Sequence, residues 1–174
     1  HGLEVWRAVW ESGQAHGICA YGTEAMHVLR AEKGYVIVGQ DTDGTVTADD
    51  AGLSWAVGKN KADFIGMGSM KKPALMDPNR KQLVGLLTAD PSIVLEEGSQ
   101  IAAQAGLRPP MAVIGHVTSS YYSAVLGRSI ALALVSAGRA RMGQTLYTPT
   151  RLGETSVTVA SPIFYDPKGE RLNG

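Results

Sequence analysis

The 174-residue sequence is poor in cysteine, in aromatic residues, in long apolar runs and in excess charge of either sign. The single Cys19 cannot form an internal disulfide, so a reducing compartment is expected and structural zinc is not. Lys and Arg (16) balance Asp and Glu (16), which leaves no electrostatic footprint for nucleic acid. The longest apolar run, Ile130 to Val135, is far shorter than the ~20 residues of a membrane-spanning helix. These absences predict a cytoplasmic protein that contacts neither nucleic acid nor membrane and holds no metal.

The first residues carry an amphipathic helical pattern, although the chain does not begin with Met. Leu3, Trp6, Val9 and Trp10 follow the i, i+3, i+4, i+7 spacing of one helix face. We expect this helix to end between Gly13 and Gly17 and its tryptophan face to pack on a strand at Tyr35 to Val38 or on a neighbouring copy. A chain that starts in this way is expected to be a fragment of a longer protein.

A second helix is predicted from Thr23, as a possible N-cap, to Lys33, with Gly34 placed to end it. At about 100° per residue the apolar arc of this helix contains Ala25 and Val28, and Glu32 falls between them. A carboxylate turned inward must find hydrogen-bond donors. It either forms an internal salt bridge or lies where the helix end turns to solvent, or it is retained for a ligand that carries paired N–H donors.

The second half of the chain has a β pattern. A segment with two prolines and several positive charges, residues 71–80, predicts a domain boundary at about residue 78. Beyond it four strand-length runs are separated by Gly- and Pro-containing turns: 82–89, 111–119, 128–135 and 155–160. The third run alternates bulky and smaller apolar residues, which suits a tightly curved sheet. We therefore predict an α+β chain whose last part, residues 79–174, is a small antiparallel β-barrel.

Generic catalytic and nucleotide-binding signals are weak. His116 lies near the hydroxyls of residues 118–120, but no strained Gly-x-Ser-x-Gly elbow accompanies it, and we interpret these hydroxyls as groups at a strand end. Gly66-Met67-Gly68 lacks the third glycine of a dinucleotide fingerprint. The loop at Asp41 lacks the Glu that closes a calcium site and is interpreted as a turn-rich loop. We assign no catalytic residue to this chain.

Several segments in a fixed order resemble one known family. These are Tyr21-Gly-Thr-Glu-Ala-Met-His-Val-Leu-Arg-Ala-Glu-Lys-Gly-Tyr35, Gly39-Gln-Asp-Thr-Asp, Asp50-Ala-Gly-Leu-Ser-Trp55, Asp63-Phe-Ile-Gly66 and Gly115-His-Val-Thr-Ser-Ser120. They resemble the aminomethyltransferases, the folate-binding T-proteins of the glycine cleavage system and their relatives. The resemblance spans nearly the whole chain and implies that residues 1–78 are the C-terminal part of the folate-binding domain and residues 79–174 the C-terminal barrel.

The resemblance also implies a set of folate-binding residues. In this family the carboxylate of the Leu-Arg-x-Glu element contacts the pterin, which favours the ligand interpretation of Glu32. Lys61 matches a basic position near the folate tail and keeps the charge without the bidentate fork of an arginine. Tyr35 or Tyr21 is a candidate to stack on the pterin or to belong to the core. The catalytic aspartate of the family lies upstream of His1, so the chain alone is expected to be inactive.

Within the family, the sequences of these segments are most similar to those of the α subunits of heterotetrameric sarcosine oxidases. Gly22-Thr23-Glu24-Ala25 stands where T-proteins usually have Gly-Ala-Arg-Asp. This branch implies oxidative demethylation of sarcosine to glycine, transfer of the one-carbon unit to tetrahydrofolate, and β, γ and δ subunits as partners. FAD, FMN and NAD are implied for the complete enzyme and not for this chain. The alternatives are an aminomethyltransferase of the glycine cleavage type and a non-catalytic scaffold that docks subunits.

Overall fold

The computed structural model describes residues 1–151 and 153–171. In its first half the regular elements are helices, joined by long irregular segments. Helix α1 spans Gly2–Gly13 and continues as a 3-10 turn at Gln14–His16, and α2 spans Thr23–Glu32. Three short elements follow: a 3-10 turn at Ser54–Ala56, α3 at Met67–Met70 and α4 at Pro73–Met76. Among the described residues, no helix combines the length and the apolar character needed to cross a membrane.

The second half forms one six-stranded antiparallel sheet in the order β2-β3-β4-β1-β6-β5. The strands are β1 Lys81–Thr88, β2 Gln100–Ile101, β3 Gly115–Ser123, β4 Arg128–Ser136, β5 Thr145–Thr150 and β6 Gly153–Ala160, with a 3-10 turn at Gly138–Arg141 between β4 and β5. Ala102 and Tyr147 exchange backbone hydrogen bonds of 2.9 and 3.0 Å, which join the two edges of the sheet. The predicted α+β fold with a small antiparallel barrel is confirmed.

The two faces of β4 belong to different parts of the core. Ala131, Ala133 and Val135 point into the barrel, where they pack with buried residues of the other strands. Ile130, Leu132 and Leu134 point outward and are nevertheless buried, because the first half of the chain covers them. The alternation of bulky and smaller residues predicted a curved sheet, and the smaller residues do line its inner side.

Helix α2 covers part of the outer face. Ala31 packs with Tyr121 and Ile130, and Val28 adds to the same cluster. Gly34 ends the helix as predicted, with φ +68°, and an added Cβ there would lie 2.6 Å from the carbonyl oxygen of Pro162. Thr23 is the first helical residue, and Gly22 is the N-cap. No side chain forms a capping hydrogen bond there, so the predicted Thr23 cap is wrong by one position.

The strand predicted at Tyr35 to Val38 is wrong. Only Val38 makes an isolated bridge, to Thr42, and the remaining backbone is irregular. Side chains replace a neighbouring strand as partners, because the Tyr35 carbonyl accepts a hydrogen bond from Arg30 and the Ile37 N–H donates to the Asp41 carboxylate. A β-branched run therefore forms a loop when nearby charged groups satisfy its backbone.

Two strand predictions also need correction. The run predicted at 111–119 forms β3 at Gly115–Ser123, because its hydroxyl residues lie inside the strand and pair with β4. Strands β2 and β5 were missed. β2 has only two residues, and β5 contains Pro149, which is tolerated because β5 is the last strand in the sheet order.

Helix α1 forms where predicted, but its apolar face does not pack on residues 35–38. Trp6 remains 56% exposed, and its ring stacks on Trp10 with a centroid distance of 5.6 Å. Tyr35 and Val38 are exposed as well, so the two segments do not bury each other. The predicted packing within the chain is wrong, whereas packing on a neighbouring copy stays a prediction.

Candidate functional site

Glu32 is the last residue of α2 and is only 2% exposed. Its side chain points inward, as the helical arc predicted. Val28 on the same arc packs against the sheet, and Ala31 is buried beside Glu32. The helix end therefore does not turn Glu32 to solvent. The ion pairs of the described residues do not include Glu32 either, so an internal salt bridge is not its role there.

The Glu32 carboxylate contacts the barrel through one hydroxyl. Ser123 Oγ, at the end of β3, donates a hydrogen bond to Glu32 Oε1 at 2.6 Å. The backbone carbonyl of Glu32 accepts hydrogen bonds from the N–H groups of Phe164 and Tyr165, both at 2.9 Å. The residue is thus fixed from two sides, by β3 and by the segment that follows β6, and one carboxylate oxygen carries the described side-chain hydrogen bond.

A buried ion pair lies between α2 and β3, near Glu32 in sequence. Arg30 pairs with Asp41, and both side chains are shielded from solvent. Arg30 Nη2 also donates to Ser119 Oγ at 2.6 Å. Asp41 accepts three further hydrogen bonds, from the Thr118 and Ser119 hydroxyls, each at 2.6 Å, and from the Ile37 N–H at 2.8 Å. This network fixes the turn after α2 against the middle of β3.

A second buried carboxylate, Asp50, joins the first half to the start of β1. Arg80 donates to both Asp50 oxygens, with the shortest distance at 2.6 Å. Burial opposes ionisation of Asp50, but the hydrogen bonds from Arg80 and Thr47 outweigh it and hold the pKa of this carboxyl below its ordinary 3.8. Asp41 and Asp50 thus each have an arginine partner, whereas Glu32 has a serine.

The two candidate tyrosines lie at opposite ends of α2. Tyr35 follows Glu32 by three residues and is 57% exposed, which leaves its ring accessible near the end of the helix. Tyr21 precedes the helix and is 71% exposed, and it lines an apolar groove with Trp6 and Trp10. At 1.5 Å per residue the ten-residue α2 is about 15 Å long, so Tyr21 lies far from Glu32.

Lys61 is exposed in an irregular segment between the 3-10 turn at 54–56 and α3. Its aliphatic chain lies beside Gly58, since a Cβ added to that glycine would be 3.4 Å from Lys61 Cδ. No hydrogen bond, ion pair or ring contact within the described residues joins any two of Glu32, Tyr35, Tyr21 and Lys61. Their common role in folate binding stays a prediction.

The hydroxyls of Thr118, Ser119 and Ser120 are not strand-end groups, which corrects their interpretation. Ser120 accepts the Leu95 N–H at 3.0 Å and donates to a carbonyl of β4, and the other two hydroxyls bind Asp41. His116 forms no triad with them, and burial, followed by the charge of Lys81, lowers its pKa. In residues 1–151 and 153–171, no three His, Cys, Asp or Glu side chains are grouped to hold a metal.

Sequence reasoning missed Ser123 and the pairing of Arg30 with Asp41. Ser123 is separated from Glu32 by 91 positions, and a serine in a hydroxyl-rich strand has no pattern that marks it as a partner. Asp41 looked like a turn residue because Gly39, Asp43 and Gly44 surround it. No pattern in the sequence marks Arg30 as the partner of Asp41, which lies 11 positions away.

Comparison with known proteins agrees with this architecture. Residues 1–61 match the family model of the GCVT N-terminal domain, and residues 81–166 match that of the glycine cleavage T-protein C-terminal barrel domain. The sarcosine oxidase subunit alpha of Corynebacterium sp. strain P-1 is 47% identical over 100% of this chain and 18% of that protein. The aminomethyltransferase of Nitrosomonas europaea is 37% identical, over 89% of this chain and 40% of that enzyme.

A solved structure shows the same fold. The glycine cleavage system aminomethyltransferase T of Bartonella henselae matches with a TM-score of 0.76 and 26% identity, over 91% of this chain and 43% of that chain. The chain spans about a fifth of the length of its sarcosine oxidase relatives, at 18%. Two family models in the expected order and a matching fold lead to one conclusion: the chain belongs to the glycine cleavage T-protein, or aminomethyltransferase, family.

Proposed function

We propose that this chain is part of a sarcosine oxidase α subunit and contributes to a tetrahydrofolate site in which Glu32 binds the pterin. The coarser part of this proposal is supported by its relatives, which are sarcosine oxidase α subunits and aminomethyltransferases. The complete enzyme, with its β, γ and δ subunits, oxidatively demethylates sarcosine to glycine. FAD, FMN and NAD belong to other parts of that complex.

The observation that carries the proposal is a buried carboxylate without a cationic partner. Asp41 and Asp50 are equally buried, and each is neutralised by an arginine. Glu32 has only the Ser123 hydroxyl among the described side chains. An uncompensated buried charge costs several kcal/mol, so such a group persists where a ligand supplies the missing donors.

The donor set fits a pterin. The aminopyrimidine edge of a pterin presents two parallel N–H groups, which match the two oxygens of a carboxylate and form a charge-assisted bidentate pair. A carboxylate has about four lone-pair sites, so the Ser123 hydrogen bond leaves room for both ligand bonds. Bound tetrahydrofolate supplies the amine nitrogens that accept the one-carbon unit, while Glu32 sets the orientation of the ring system.

Three further residues complete the proposed site. Tyr35 offers an exposed ring three residues after Glu32 and suits stacking on the pterin. Lys61 offers an exposed positive charge for the carboxylates of the folate tail. Tyr21 is the weakest member, because the length of α2 separates it from Glu32.

The test is the folate affinity of Glu32→Gln in the complete enzyme. The substitution replaces one acceptor oxygen by an NH₂ donor that faces the donors of the pterin. Hydrogen bonds to a charged group are worth roughly 1.5–3 kcal/mol, so affinity for tetrahydrofolate should fall about tenfold or more. Equilibrium titration with tetrahydrofolate measures this change.

Glu24→Gln is the matched control, since Glu24 lies exposed in the first turn of the same helix. This variant should bind tetrahydrofolate as the parent does. Unchanged affinity in Glu32→Gln would contradict the proposal and leave Glu32 as a structural group of the α2–β3 interface.

A further inference from the structure

The hydroxyl of Ser123 bridges the Glu32 carboxylate and the turn between β3 and β4. Ser123 is completely buried. Its Oγ accepts a hydrogen bond from the Leu126 N–H at 3.1 Å and donates one to Glu32 Oε1 at 2.6 Å. Ser123 is also the last residue of β3, paired with Arg128 of β4, so its position is fixed by the hairpin.

This arrangement fixes the direction of the serine proton. A hydroxyl carries one proton and two lone pairs. The Leu126 N–H can only donate, so it occupies one lone pair of the Ser123 oxygen. The serine proton is donated to Glu32 Oε1, 2.6 Å away. The turn backbone, the serine and the carboxylate form a short chain of hydrogen bonds with one polarity.

We propose that Ser123 is a positioning residue of the folate site, which acts by holding Glu32 Oε1 so that the carboxylate faces the pterin donors. This inference rests on the proposed function of Glu32. Ser123 itself does not touch the ligand. Its contribution is the orientation of a buried side chain that makes no ion pair with the described residues and whose described side-chain hydrogen bond comes from Ser123.

The experiment compares Ser123→Ala with Ser120→Ala in the complete enzyme. Both serines are buried in β3, and both hydroxyls accept one backbone N–H, from Leu126 and from Leu95 respectively. Only Ser123 donates to Glu32, whereas Ser120 donates to the Ile130 carbonyl. Loss of one hydrogen bond to a charged group should weaken tetrahydrofolate binding about fivefold or more in Ser123→Ala. Ser120→Ala should bind as the parent does, and equal weakening in both variants would overturn the proposal.

A double-mutant cycle provides a readout that a general structural role would not move. If Ser123 acts through Glu32, adding Ser123→Ala to the Glu32→Gln variant should change folate affinity no further. If the two losses add instead, the positioning role is refuted. Sarcosine oxidation without folate should remain at the parental rate in the Ser120→Ala control, and a loss of that rate would show that removal of a buried β3 hydroxyl damages assembly and would count against the proposal.

The outcomes separate this inference from the proposed function. Unchanged folate affinity in Glu32→Gln refutes the folate role of Glu32 itself. A loss in Glu32→Gln together with unchanged affinity in Ser123→Ala refutes only the positioning role. Should Ser123→Ala fail to fold, Ser123→Cys carries the same test, because a thiol is a much weaker donor of similar size. Unchanged affinity in that variant would equally overturn the proposal.

Discussion

At the scale of single residues, the buried charges of this chain differ in how they are compensated. The ion pair of Arg30 and Asp41 is nearly inaccessible to solvent, and hydroxyls of β3 occupy the remaining acceptor positions of Asp41. Asp49 and Arg139 form a pair of the same type at the surface, where both side chains are largely exposed. The two pairs allow the energetic effect of burial to be measured within one molecule.

We predict that Asp41→Asn is strongly destabilising. The change leaves the Arg30 guanidinium buried without a counter-charge, and breaking such a pair typically costs about 3–5 kcal/mol. Asp49→Asn is the control and should cost at most about 1 kcal/mol, because water screens the exposed pair. Urea unfolding of the purified protein measures both free energies. Equal effects of the two substitutions would show that the buried pair contributes no more to the free energy of unfolding than the exposed pair does.

At the scale of secondary-structure elements, the end of α2 is where several parts of the chain meet. Gly34 reverses the chain after the helix, the segment after β6 donates two backbone N–H groups to the Glu32 carbonyl, and Ser123 approaches from β3. An L-residue at a positive φ costs roughly 1–2 kcal/mol. At Gly34 the close approach of the Pro162 carbonyl adds to this cost.

We predict that Gly34→Ala destabilises the protein more than Gly17→Ala does. Gly17 has nearly the same φ, +69°, but nothing lies within 4 Å of an added Cβ, so only the backbone cost of about 1–2 kcal/mol applies. At Gly34 the 162–165 segment must also shift away from Glu32. Denaturant unfolding gives the comparison. A Gly34→Ala cost no larger than that of Gly17→Ala would mean that the 162–165 segment moves freely.

The same elements show which structural features the sequence patterns could predict. The periodicity of α2 predicted both the helix and the inward direction of Glu32, because a regular helix converts spacing into orientation. The alternation in β4 predicted a curved sheet. The run at 35–38 misled because its backbone binds the nearby side chains of Arg30 and Asp41, and a β-branched pattern does not show such bonds. Ser123 could not be found from the sequence for a different reason, since its role depends on a contact across 91 positions.

At the scale of the whole molecule, the barrel packs against the first half of the chain, which provides the candidate ligand groups. The outer face of β4 is buried by α2 and by the loop that follows it, so the two halves share a core. Leu132 and Leu134 of β4 and Leu83 of β1 form the part of that core under residues 36–46. A boundary near residue 78, proposed from composition, would separate two units that fold against each other.

The most direct test of the folate role of Glu32 is the fate of the one-carbon unit in the complete enzyme. With sarcosine and tetrahydrofolate present, Glu32→Gln should release more free formaldehyde and form less 5,10-methylenetetrahydrofolate, at nearly constant sarcosine consumption. If the proposed function holds, the substitution should weaken pterin binding about tenfold or more and leave the flavin chemistry of another subunit untouched. An unchanged product ratio, or an equal loss of sarcosine oxidation, would contradict the folate role of Glu32.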